Sequence, residues 1–414
     1  MASGKKIMII GAGAGQVPII RASKDRGLIT LVVSPEGPYP GIKEADKWIP
    51  IDIYDKEAVL AAAEKECIDY VISDQSDFAV PTVAYVAENM GLIGNSIKTA
   101  EIFSNKSVQR KFCVENNLSV PISFTLNSER DITDVPFGFP WVIKPADSQG
   151  SRGVRKVSNV KEASEAFLEA LHYSKQRTVV VEEFFDGREV VCEGFVVEGM
   201  YHNIAFADRE YFSVPNLFIP SKTIFPSNIG ASIKNKLIEH DTKFAAMAGT
   251  KFGIMHSEYL VSNTGEFRLV ETALRGGGVY ISSLLIPEST GIDLTGLLLD
   301  YIINGPTVAT ERMTVSRYSF ERSSAYVCFY LKSGVITEVK GLNEIHADEN
   351  IILAEVDKVT PGFFYPGLKH KGDRLGPFVV IGKTRDELLT NIRCLQDSYK
   401  VFSTSSAEDA LIWA

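Results

Sequence analysis

Phe139-Pro-Trp-Val-Ile-Lys-Pro-Ala-Asp-Ser-Gln-Gly-Ser-Arg-Gly-Val154 is the stretch that decides the fold of this chain. It begins as an apolar run that ends at Lys144, and it then passes through Pro145 into a small polar loop with Gly150 and Gly153. Apolar β-formers followed by Gly and Ser indicate a strand that leads into a flexible turn. A lysine at the end of a strand, beside a loop rich in exposed N–H groups, is suited to holding phosphate. No Gly-Lys-Ser/Thr follows the loop, so it is not a P-loop, and these residues alone fit an ordinary hairpin turn equally well.

The size and charge of the chain limit its functional class. At 414 residues it is too long for one ordinary core, and we expect two to four domains. Hydrophobic residues make up 45% and charged residues 23%, which is a normal globular composition. The net charge of −9 argues against a dedicated nucleic-acid binder, whose surface would be basic. An anionic small substrate stays compatible, because local lysines and arginines matter more than the total charge.

Cysteine usage and hydropathy predict a cytoplasmic protein. The five cysteines are scattered and never form a C-x-x-C pair: Cys67, Cys113, Cys192, Cys328 and Cys394. This pattern favours reduced thiols and excludes a zinc site of that type. No apolar run reaches the roughly 18 residues that span a bilayer. The apolar run after Lys5 stops at Gly11 and is too short for a signal peptide. We therefore expect neither membrane nor nucleic acid as a partner.

The first third of the chain alternates predicted strands and helices. The strands are Lys6–Ile10, Leu28–Val33, Trp48–Asp52, Tyr70–Ser73 and Leu92–Gly94, and the helices are Val17–Asp25, Lys56–Lys65 and Pro81–Asn89. Such alternation indicates a parallel sheet with helices on both faces. A longer predicted helix, Ser96–Glu115, follows and carries Lys106 near its centre.

A glycine-rich turn follows the first predicted strand. Gly11, Gly13 and Gly15 suggest a dinucleotide site, but Gln16 stands where the third glycine is needed and the second strand does not end in the ribose-binding acid. A nicotinamide enzyme is therefore the weaker interpretation. The glycines instead allow a helix N-terminus to come close to the strand ends, where an anionic group of a substrate could lie. Asp77, at the same edge of the sheet, is predicted to cap a helix.

Glutamates surround the next predicted turn. Thr178–Phe185 is predicted to be a strand, Asp186-Gly187 a turn and Arg188–Val197 a second strand, so that the two form a hairpin. Three glutamates flank this turn: Glu182, Glu183 and Glu189. One exposed glutamate on an edge strand is common, and three around a turn at the end of a buried strand are less common.

A second predicted hairpin carries a pair of acids. With a four-residue turn, Val261 pairs with Glu266, and Glu258 then lies diagonal to Glu271. Alternation puts both glutamates on the face that also carries His256 and Ala273. Diagonal neighbours are about 7–8 Å apart, within reach of a shared cation. Magnesium bound to phosphates needs one or two carboxylates, so this pair predicts a magnesium site. Arg275-Gly-Gly-Gly278 follows directly and brings a guanidinium beside the acids.

The last part of the chain has a mixed pattern. Gly291–Asn304 is predicted to be an amphipathic helix, and Gly305-Pro306 a boundary. Ala325–Leu331 and Val335–Lys340 are predicted to form a hairpin. The turn His370–Arg374 could reach a carboxylate or phosphate, but a solvated turn is the favoured interpretation.

In this order the motifs resemble those of the ATP-grasp fold. The whole chain resembles the carboxylate–amine ligase branch of that superfamily. Relatives of similar layout are the L-amino-acid ligases and the purine-pathway glycinamide and aminoimidazole enzymes. The resemblance runs from about residue 6 to 305. It implies a mixed α/β and α+β architecture. We expect an N-terminal parallel-sheet (pre-ATP-grasp) domain over 1–97, an ATP-grasp domain over 98–305 with a small mobile lid at about 120–181, and a small C-terminal α+β domain over 306–414.

The resemblance also implies a set of site residues. ATP would be bound by Lys106, Lys144, Ser148, Gly150, Ser151, Gly153, Glu182, Glu183, Phe185 and Glu189. The lysines would hold the α- and β-phosphates, the loop at 148–153 would cover the γ-phosphate, Glu182 would meet the adenine amino group and Glu189 the ribose. Mg²⁺, with Mn²⁺ as an alternative, would be held by Glu258 and Glu271, and the catalytic residues would be Arg275 and Lys144. The family usually has asparagine where Ala273 stands, so the second magnesium should be held more weakly or be completed by water.

The function that this resemblance implies is an ATP-dependent ligase. ATP would phosphorylate a substrate carboxylate, and an amine would attack the acyl phosphate, releasing ADP and phosphate. The partners would be a small-molecule carboxylate and an amine, the acid held by parts of Arg209–Phe225, and we leave a homodimer open. Two alternatives remain: a carboxylase that uses bicarbonate as the acid, and a nucleotide-binding scaffold without turnover, which Ala273 favours.

Overall fold

The computed structural model of the chain describes residues 4–148, 150–315, 320–406 and 408–414. Its N-terminal part consists of β1 (Lys6–Ile10), α1 (Val17–Asp25), β2 (Ile29–Ser34), α2 (Pro40–Glu44), β3 (Lys47–Pro50), α3 (Lys56–Glu66), β4 (Tyr70–Ile72) and α4 (Val80–Met90). The strands pair in parallel in the order β3-β2-β1-β4, which confirms the predicted parallel sheet. Ile7 and Ile9 point to one apolar cluster and Met8 and Ile10 to another, so both faces of β1 are covered.

The predicted strand at Leu92–Gly94 is wrong. Among the described residues, this segment is irregular and joins no sheet. The Asn95 side chain instead donates a hydrogen bond to the Phe252 carbonyl at 2.8 Å and accepts one from the Lys251 N–H at 2.8 Å. These bonds attach the segment to the central part of the molecule, so it leaves the edge of the first sheet.

The single helix predicted for Ser96–Glu115 is also wrong. The structure has two helices, α5 (Ile97–Ser104) and α6 (Lys106–Glu115), which are separated by the extended residue Asn105. The Asn105 side chain caps α6 by accepting hydrogen bonds from the N–H groups of Ser107 and Val108 at 2.9 and 3.1 Å. Lys106 therefore lies at the first position of a helix.

A separate small sheet follows, consisting of β5 (Ser123–Leu126), β6 (Trp141–Pro145), β7 (Arg155–Val157) and β8 (Val179–Glu183), with α7 (Val160–Tyr173) packed against it. Its strands pair in antiparallel fashion in the order β5-β8-β6-β7. It has an apolar cluster of its own, which includes Trp141, Ile143 and Phe167. The predicted lid, at about 120–181, covers most of these elements, and its limits and its mobility stay predictions.

The central elements are β9 (Arg188–Val197), β10 (Met200–Tyr211), β11 (Pro220–Phe225), α8 (Ala231–Met247), β12 (Phe252–Val261), β13 (Phe267–Ala273), α9 (Ile286–Thr290), α10 (Leu294–Asn304) and α11 (Pro306–Val315). The predicted hairpin at Glu182–Glu189 is wrong, because β8 belongs to the small sheet and β9 pairs with β10 and β12. The chain at Asp186-Gly187 therefore crosses from one sheet to the other. The predicted amphipathic helix at 291–304 is shorter and buried over most of its length.

The last elements are β14 (Ser323–Leu331), β15 (Gly334–Lys340), α12 (Leu342–Ala347), β16 (Ile351–Ala354), β17 (Phe364–Tyr365), β18 (Leu375–Gly382), α13 (Arg385–Ser398), β19 (Lys400–Ser403) and β20 (Leu411–Ile412). The large sheet runs β13-β12-β9-β10-β11-β14-β18-β16, so the C-terminal strands extend the central sheet. The predicted β14–β15 hairpin is wrong, because β11 and β18 flank β14 whereas β15 pairs with β17 and β19.

The large sheet bears on two further predictions. Because β11 and β14 pair across the proposed boundary at 305/306, the two units share one sheet, and the domain limits stay predictions. Over the described ranges, none of the helices has the length and apolar character needed to cross a membrane.

Candidate active site

One cavity lies between the small sheet and the large sheet, and it collects most of the predicted site residues. Its lining includes Lys106, Lys144, Ser148, Gly150, Ser151, Glu182, Glu183, Phe185, Glu189, Glu258, Glu271 and Arg275. Gly153 is the predicted residue that is not part of this lining. The residues come from several elements that are far apart in sequence, so the fold brings together a set that was proposed from separate motifs. Their individual roles toward a nucleotide stay predictions.

Gly153 has a structural role in the same loop. A Cβ at this position would come within 2.9 Å of the Tyr173 ring and 3.1 Å of the Ala170 backbone on α7, and the backbone has φ +68°. Only glycine combines this close approach with the left-handed conformation. Gly153 therefore fixes the end of the loop against α7, while Ser148, Gly150 and Ser151 face the cavity. Gln149, in the same loop, lies outside the described residues.

Glu258 and Glu271 lie directly opposite each other on β12 and β13. The predicted diagonal register is wrong, because an irregularity between Glu258 and Tyr259 shifts the pairing, and Val261 pairs with Phe267. The shift brings the two acids closer than the predicted spacing, since directly paired residues have Cβ atoms about 4.5–5.5 Å apart. His256 and Ala273 form the adjacent cross-strand pair.

Each of the two acids is already neutralised by cations. Glu258 accepts a hydrogen bond from the Arg209 guanidinium and lies 3.2 Å from His256 Nε2. Burial works against the charged form of Glu258, but Arg209 outweighs it and holds the pKa of this carboxyl well below its usual range. The Lys106 ammonium donates to Glu271 Oε1 at 2.8 Å.

The donor set around these acids fits magnesium that is shared with phosphates. Both groups are hard oxygen donors, and magnesium in such sites takes one or two carboxylates and completes its shell with phosphate oxygens and water. Among the described residues, no group of three or more His, Cys, Asp and Glu side chains is arranged to hold a metal by itself. The residues that would hold the metal are Glu258 and Glu271.

Lys144 is part of a buried ion network. Its ammonium lies 2.8 Å from Glu182 Oε2, and Arg110 Nε donates to Glu182 Oε1 at 2.6 Å. β6 and β8 are neighbours with Val142 opposite Glu182, so Lys144 and Glu182 share one face of the small sheet. Burial lowers the pKa of Lys144 to about 8, although Glu182 opposes the shift. Arg110 was missed by the sequence analysis, because only the packing of α6 brings it to Glu182.

Arg209 is a second residue that the sequence analysis did not assign to this cluster. It lies opposite Glu189 in the β9–β10 pairing and donates to Glu189 Oε1 at 2.7 Å, while it also binds Glu258. The Tyr211 hydroxyl donates to the other oxygen of Glu189. Arg209 thus connects the predicted ribose residue with the predicted metal ligand. An arginine inside a strand could have been noticed in the sequence. Which residues it contacts, however, depends on how the strands pair.

The loop after β13 is attached to the N-terminal sheet. Arg275 donates to both oxygens of Asp77, at 2.8 and 3.0 Å, and the Gly276 N–H donates to Asp74 Oδ1 at 2.8 Å. The predicted capping role of Asp77 is wrong, because α4 begins after Ala79 without a side-chain cap. Burial raises the pKa of Asp74 to about 6, against the hydrogen bonds from Gly276 and Gln75.

Three further residues that line the cavity have partners or positions worth noting. Glu183 accepts a hydrogen bond from the Ile122 N–H at 3.1 Å, and the Phe185 ring lies 4.9 Å from the Arg268 guanidinium carbon. Lys371 comes from the turn that was predicted to be solvated; that prediction is wrong, because its side chain lines the cavity.

Comparisons with known proteins agree with this geometry. Residues 137–283 match the family described as the ATP-grasp domain. The formate-dependent phosphoribosylglycinamide formyltransferase of Prochlorococcus marinus (strain NATL1A) is 25% identical over 186 residues, which cover 44% of this chain and 48% of that protein. The alanine–anticapsin ligase of Bacillus subtilis (strain 168) is 25% identical over 276 residues, 60% of this chain and 57% of that protein. The chain thus spans about half the length of these two relatives.

Structural similarity extends over almost the entire chain. The crystal structure of L-amino acid ligase from Bacillus licheniformis superposes with a TM-score of 0.81 and 20% identity, and it covers 98% of this chain and 100% of that one. At this identity the similarity defines the fold. Over residues 137–283 the chain therefore matches an ATP-grasp domain, and it resembles, in sequence and fold, the carboxylate–amine ligases of that superfamily.

Proposed function

We propose that this protein is an ATP-dependent ligase that activates a substrate carboxylate as an acyl phosphate and joins it to an amine, with ADP and phosphate as the other products. The observation that carries the proposal is the cross-strand pair Glu258–Glu271, in one cavity with Lys106, Lys144 and Arg275. Paired carboxylates beside several cations are suited to phosphoryl transfer, and the described residues of the cavity lining include no Ser/His or Cys/His pair for nucleophilic catalysis.

The cations of the cavity provide most of the proposed catalysis. Lys144 is held in place by Glu182, and Lys106 by Glu271 and by the Ser148 carbonyl at 2.8 Å. Such fixed charges stabilise the negative charge that develops on a transferring phosphoryl group, without reorganisation during the reaction. Magnesium, when bound, would neutralise phosphate oxygens and orient the phosphoryl group for in-line transfer.

The glycine loop and Arg275 would define the reacting end. Ser148, Gly150 and Ser151 would bring backbone N–H groups over the terminal phosphate. Arg275 is aimed by its two bonds to Asp77, and its guanidinium would orient the acid or stabilise the transferred group. Closure of the small sheet over the cavity would keep water away from the acyl phosphate.

The experiment is a screen of paired substrates. Amino acids and other small carboxylic acids are offered in all pairs with ATP and magnesium, ADP release is followed with a coupled assay, and the products are identified by mass spectrometry. We expect ADP, phosphate and an amide for at least one pair. The Glu271→Gln variant is the matched control for contaminating ATPases. AMP and pyrophosphate as products would contradict the acyl-phosphate mechanism.

Two other results would identify the alternatives. Bicarbonate-dependent ADP release with incorporation of labelled bicarbonate, and no amide, would assign the protein to the carboxylases. Tight ATP binding without ADP release for any pair or for bicarbonate would assign it to the scaffolds. The substrates themselves are left to the screen.

A further inference from the structure

The charges of the cavity are not fully paired. Its lining contains six cationic side chains: Lys106, Lys144, Arg152, Arg209, Arg275 and Lys371. Four of them form ion pairs inside the cavity, Lys106 with Glu271, Lys144 with Glu182, Arg209 with Glu189 and Glu258, and Arg275 with Asp77. Arg152 is exposed, so water can satisfy it. Within the described part of the chain, the Lys371 ammonium is the remaining cation and forms neither an ion pair nor a hydrogen bond.

Lys371 is held in a defined turn. It begins a short 3-10 helix, Lys371–Asp373, and the Asp373 carboxylate accepts hydrogen bonds from the N–H groups of Lys369 and His370, both at 2.9 Å. The Tyr365 hydroxyl donates to the Asp373 carbonyl at 3.0 Å. These bonds fix the backbone from which the lysine side chain reaches into the cavity. The position from which the side chain starts is therefore a property of the fold.

The side chain points to the end of the cavity where phosphoryl transfer is proposed. Its Cδ lies 3.9 Å from where a Cβ on Gly150 would be, so it faces the glycine loop. Burial, together with the nearby guanidinium groups of Arg374 and Arg209, lowers the pKa of Lys371 to about 7, and Glu258 opposes this shift. The lysine thus faces the glycine loop and is close enough to Glu258 for the two charges to interact.

A partly buried ammonium next to several arginines is unfavourable unless an anion joins it. We propose that Lys371 binds an oxyanion between the glycine loop and the Glu258–Glu271 pair, which makes the C-terminal segment part of the reacting end of the site. The identity of the anion rests on the proposed function: a carboxylate of the acid substrate and the terminal phosphate of the nucleotide share the required chemistry. The experiment below separates these two sources.

The test uses three variants of the full chain. Lys371→Met keeps the length of the stem that faces Gly150 and removes the charge. Lys371→Arg keeps a positive charge and should restore binding. Lys369→Met removes a charge from the exposed lysine two residues away and is the matched control. Because the Lys371 ammonium has no partner in the described structure, its removal should not lower the melting temperature.

Two measurements are made on each variant. Isothermal titration calorimetry compares magnesium with adenosine 5′-(β,γ-methylene)triphosphate against magnesium with ADP, and the ratio of the two Kd values isolates the terminal phosphate. Steady-state kinetics gives the KM of the acid found in the substrate screen. One charged hydrogen bond corresponds to about 10-fold or more in affinity. We expect Lys371→Met to change one of the two quantities by about this factor, while Lys371→Arg and Lys369→Met stay close to wild type.

Each outcome either identifies the anion that Lys371 binds or overturns the inference. A changed Kd ratio assigns the anion to the terminal phosphate, and a raised KM for the acid assigns it to the substrate carboxylate. Unchanged values of both in Lys371→Met would overturn the inference. If no acid stimulates ADP release by the wild type, the proposed function fails by itself. The inference is then judged on the Kd ratio alone, and an unchanged ratio overturns it.

Discussion

The Arg275 guanidinium donates two hydrogen bonds to the Asp77 carboxylate, at 2.8 and 3.0 Å, although 198 residues separate them in sequence. Both side chains are largely buried, with 14% and 11% of their surfaces exposed. Burial opposes the charge of Asp77, but Arg275 outweighs it and lowers the pKa of this carboxyl. The pair joins the edge of the N-terminal sheet to the glycine-rich loop after β13 and aims the guanidinium at the cavity.

Asp77→Asn tests the strength of this connection. The variant keeps the shape of the side chain but replaces a charged acceptor with a neutral one, so the free energy of unfolding should fall by about 1–3 kcal/mol. Urea denaturation followed by circular dichroism measures the change. Asp25→Asn, at the exposed end of α1, is the control and should be neutral. Equal stability of the two variants would show that the pair contributes nothing.

Glu271→Gln tests the proposed metal site. The amide keeps an acceptor for Lys106 but removes the negative charge that would offset magnesium, so the rate of ADP release should fall at least ~100-fold at saturating magnesium. The melting temperature without ligands should fall only slightly, because the amide oxygen still accepts from Lys106 although the ion pair loses its negative charge. Glu266→Gln, at the exposed turn of the same hairpin, should keep full activity. Normal turnover by Glu271→Gln would refute the metal assignment and favour the scaffold.

Ala273→Asn tests whether this position has room for the asparagine that the ATP-grasp resemblance leads us to expect there. Ala273 is buried and lies opposite the buried His256, whose imidazole contacts Glu193 and Glu258. The larger amide should overpack this pair and lower the free energy of unfolding by about 1–3 kcal/mol. The exposed Ala246 on α8 gives the control variant Ala246→Asn. Unchanged stability together with a lower magnesium requirement would mean that the site has room for a further oxygen ligand.

The ionisation of Lys144 should appear in the pH dependence of nucleotide binding. Because its pKa is lowered to about 8, the ammonium is present below this pH and is lost as the pH rises above it. The affinity for ADP should therefore be constant at lower pH and weaken above about pH 8. Calorimetry in the Lys371→Arg background removes the second titrating lysine of the cavity. Adding Lys144→Arg should abolish the bend, and a bend that persists would exclude Lys144 as its source.

The small sheet should behave as a lid. Amide hydrogen exchange at Asp147–Gly153 should slow when magnesium and adenosine 5′-(β,γ-methylene)triphosphate are added, because the glycine loop must close over the phosphates. Exchange at the β9–β10 turn, Glu198–Gly199, serves as the internal control and should not respond. Unchanged exchange in the loop at saturating analogue would argue against a gating role.

Local patterns were sufficient for the N-terminal parallel sheet, and the motifs, with the resemblance that they carry, identified many of the residues that line the cavity. Alternating strands and helices predicted the parallel sheet, because a helix and a strand each need only a few neighbouring residues to set their period. Lys144 beside the glycine loop, and Glu258 and Glu271 beside Arg275, were found because each motif is contiguous in sequence. All of these residues line the cavity.

Tertiary structure decided which charges meet. The shift between Glu258 and Tyr259 changed the pairing of the two acids. Such irregularities cannot be recognised from the alternating residue pattern of a strand. The partners of Arg110 and Arg209 come from elements far away in the chain, and a buried charge is tolerated only where the packed fold supplies its counter-ion. Sequence alone therefore indicated many of the chemical groups of this site, whereas their ion pairs, and the cavity lysine Lys371 that has no partner among the described residues, depend on long-range strand register and packing.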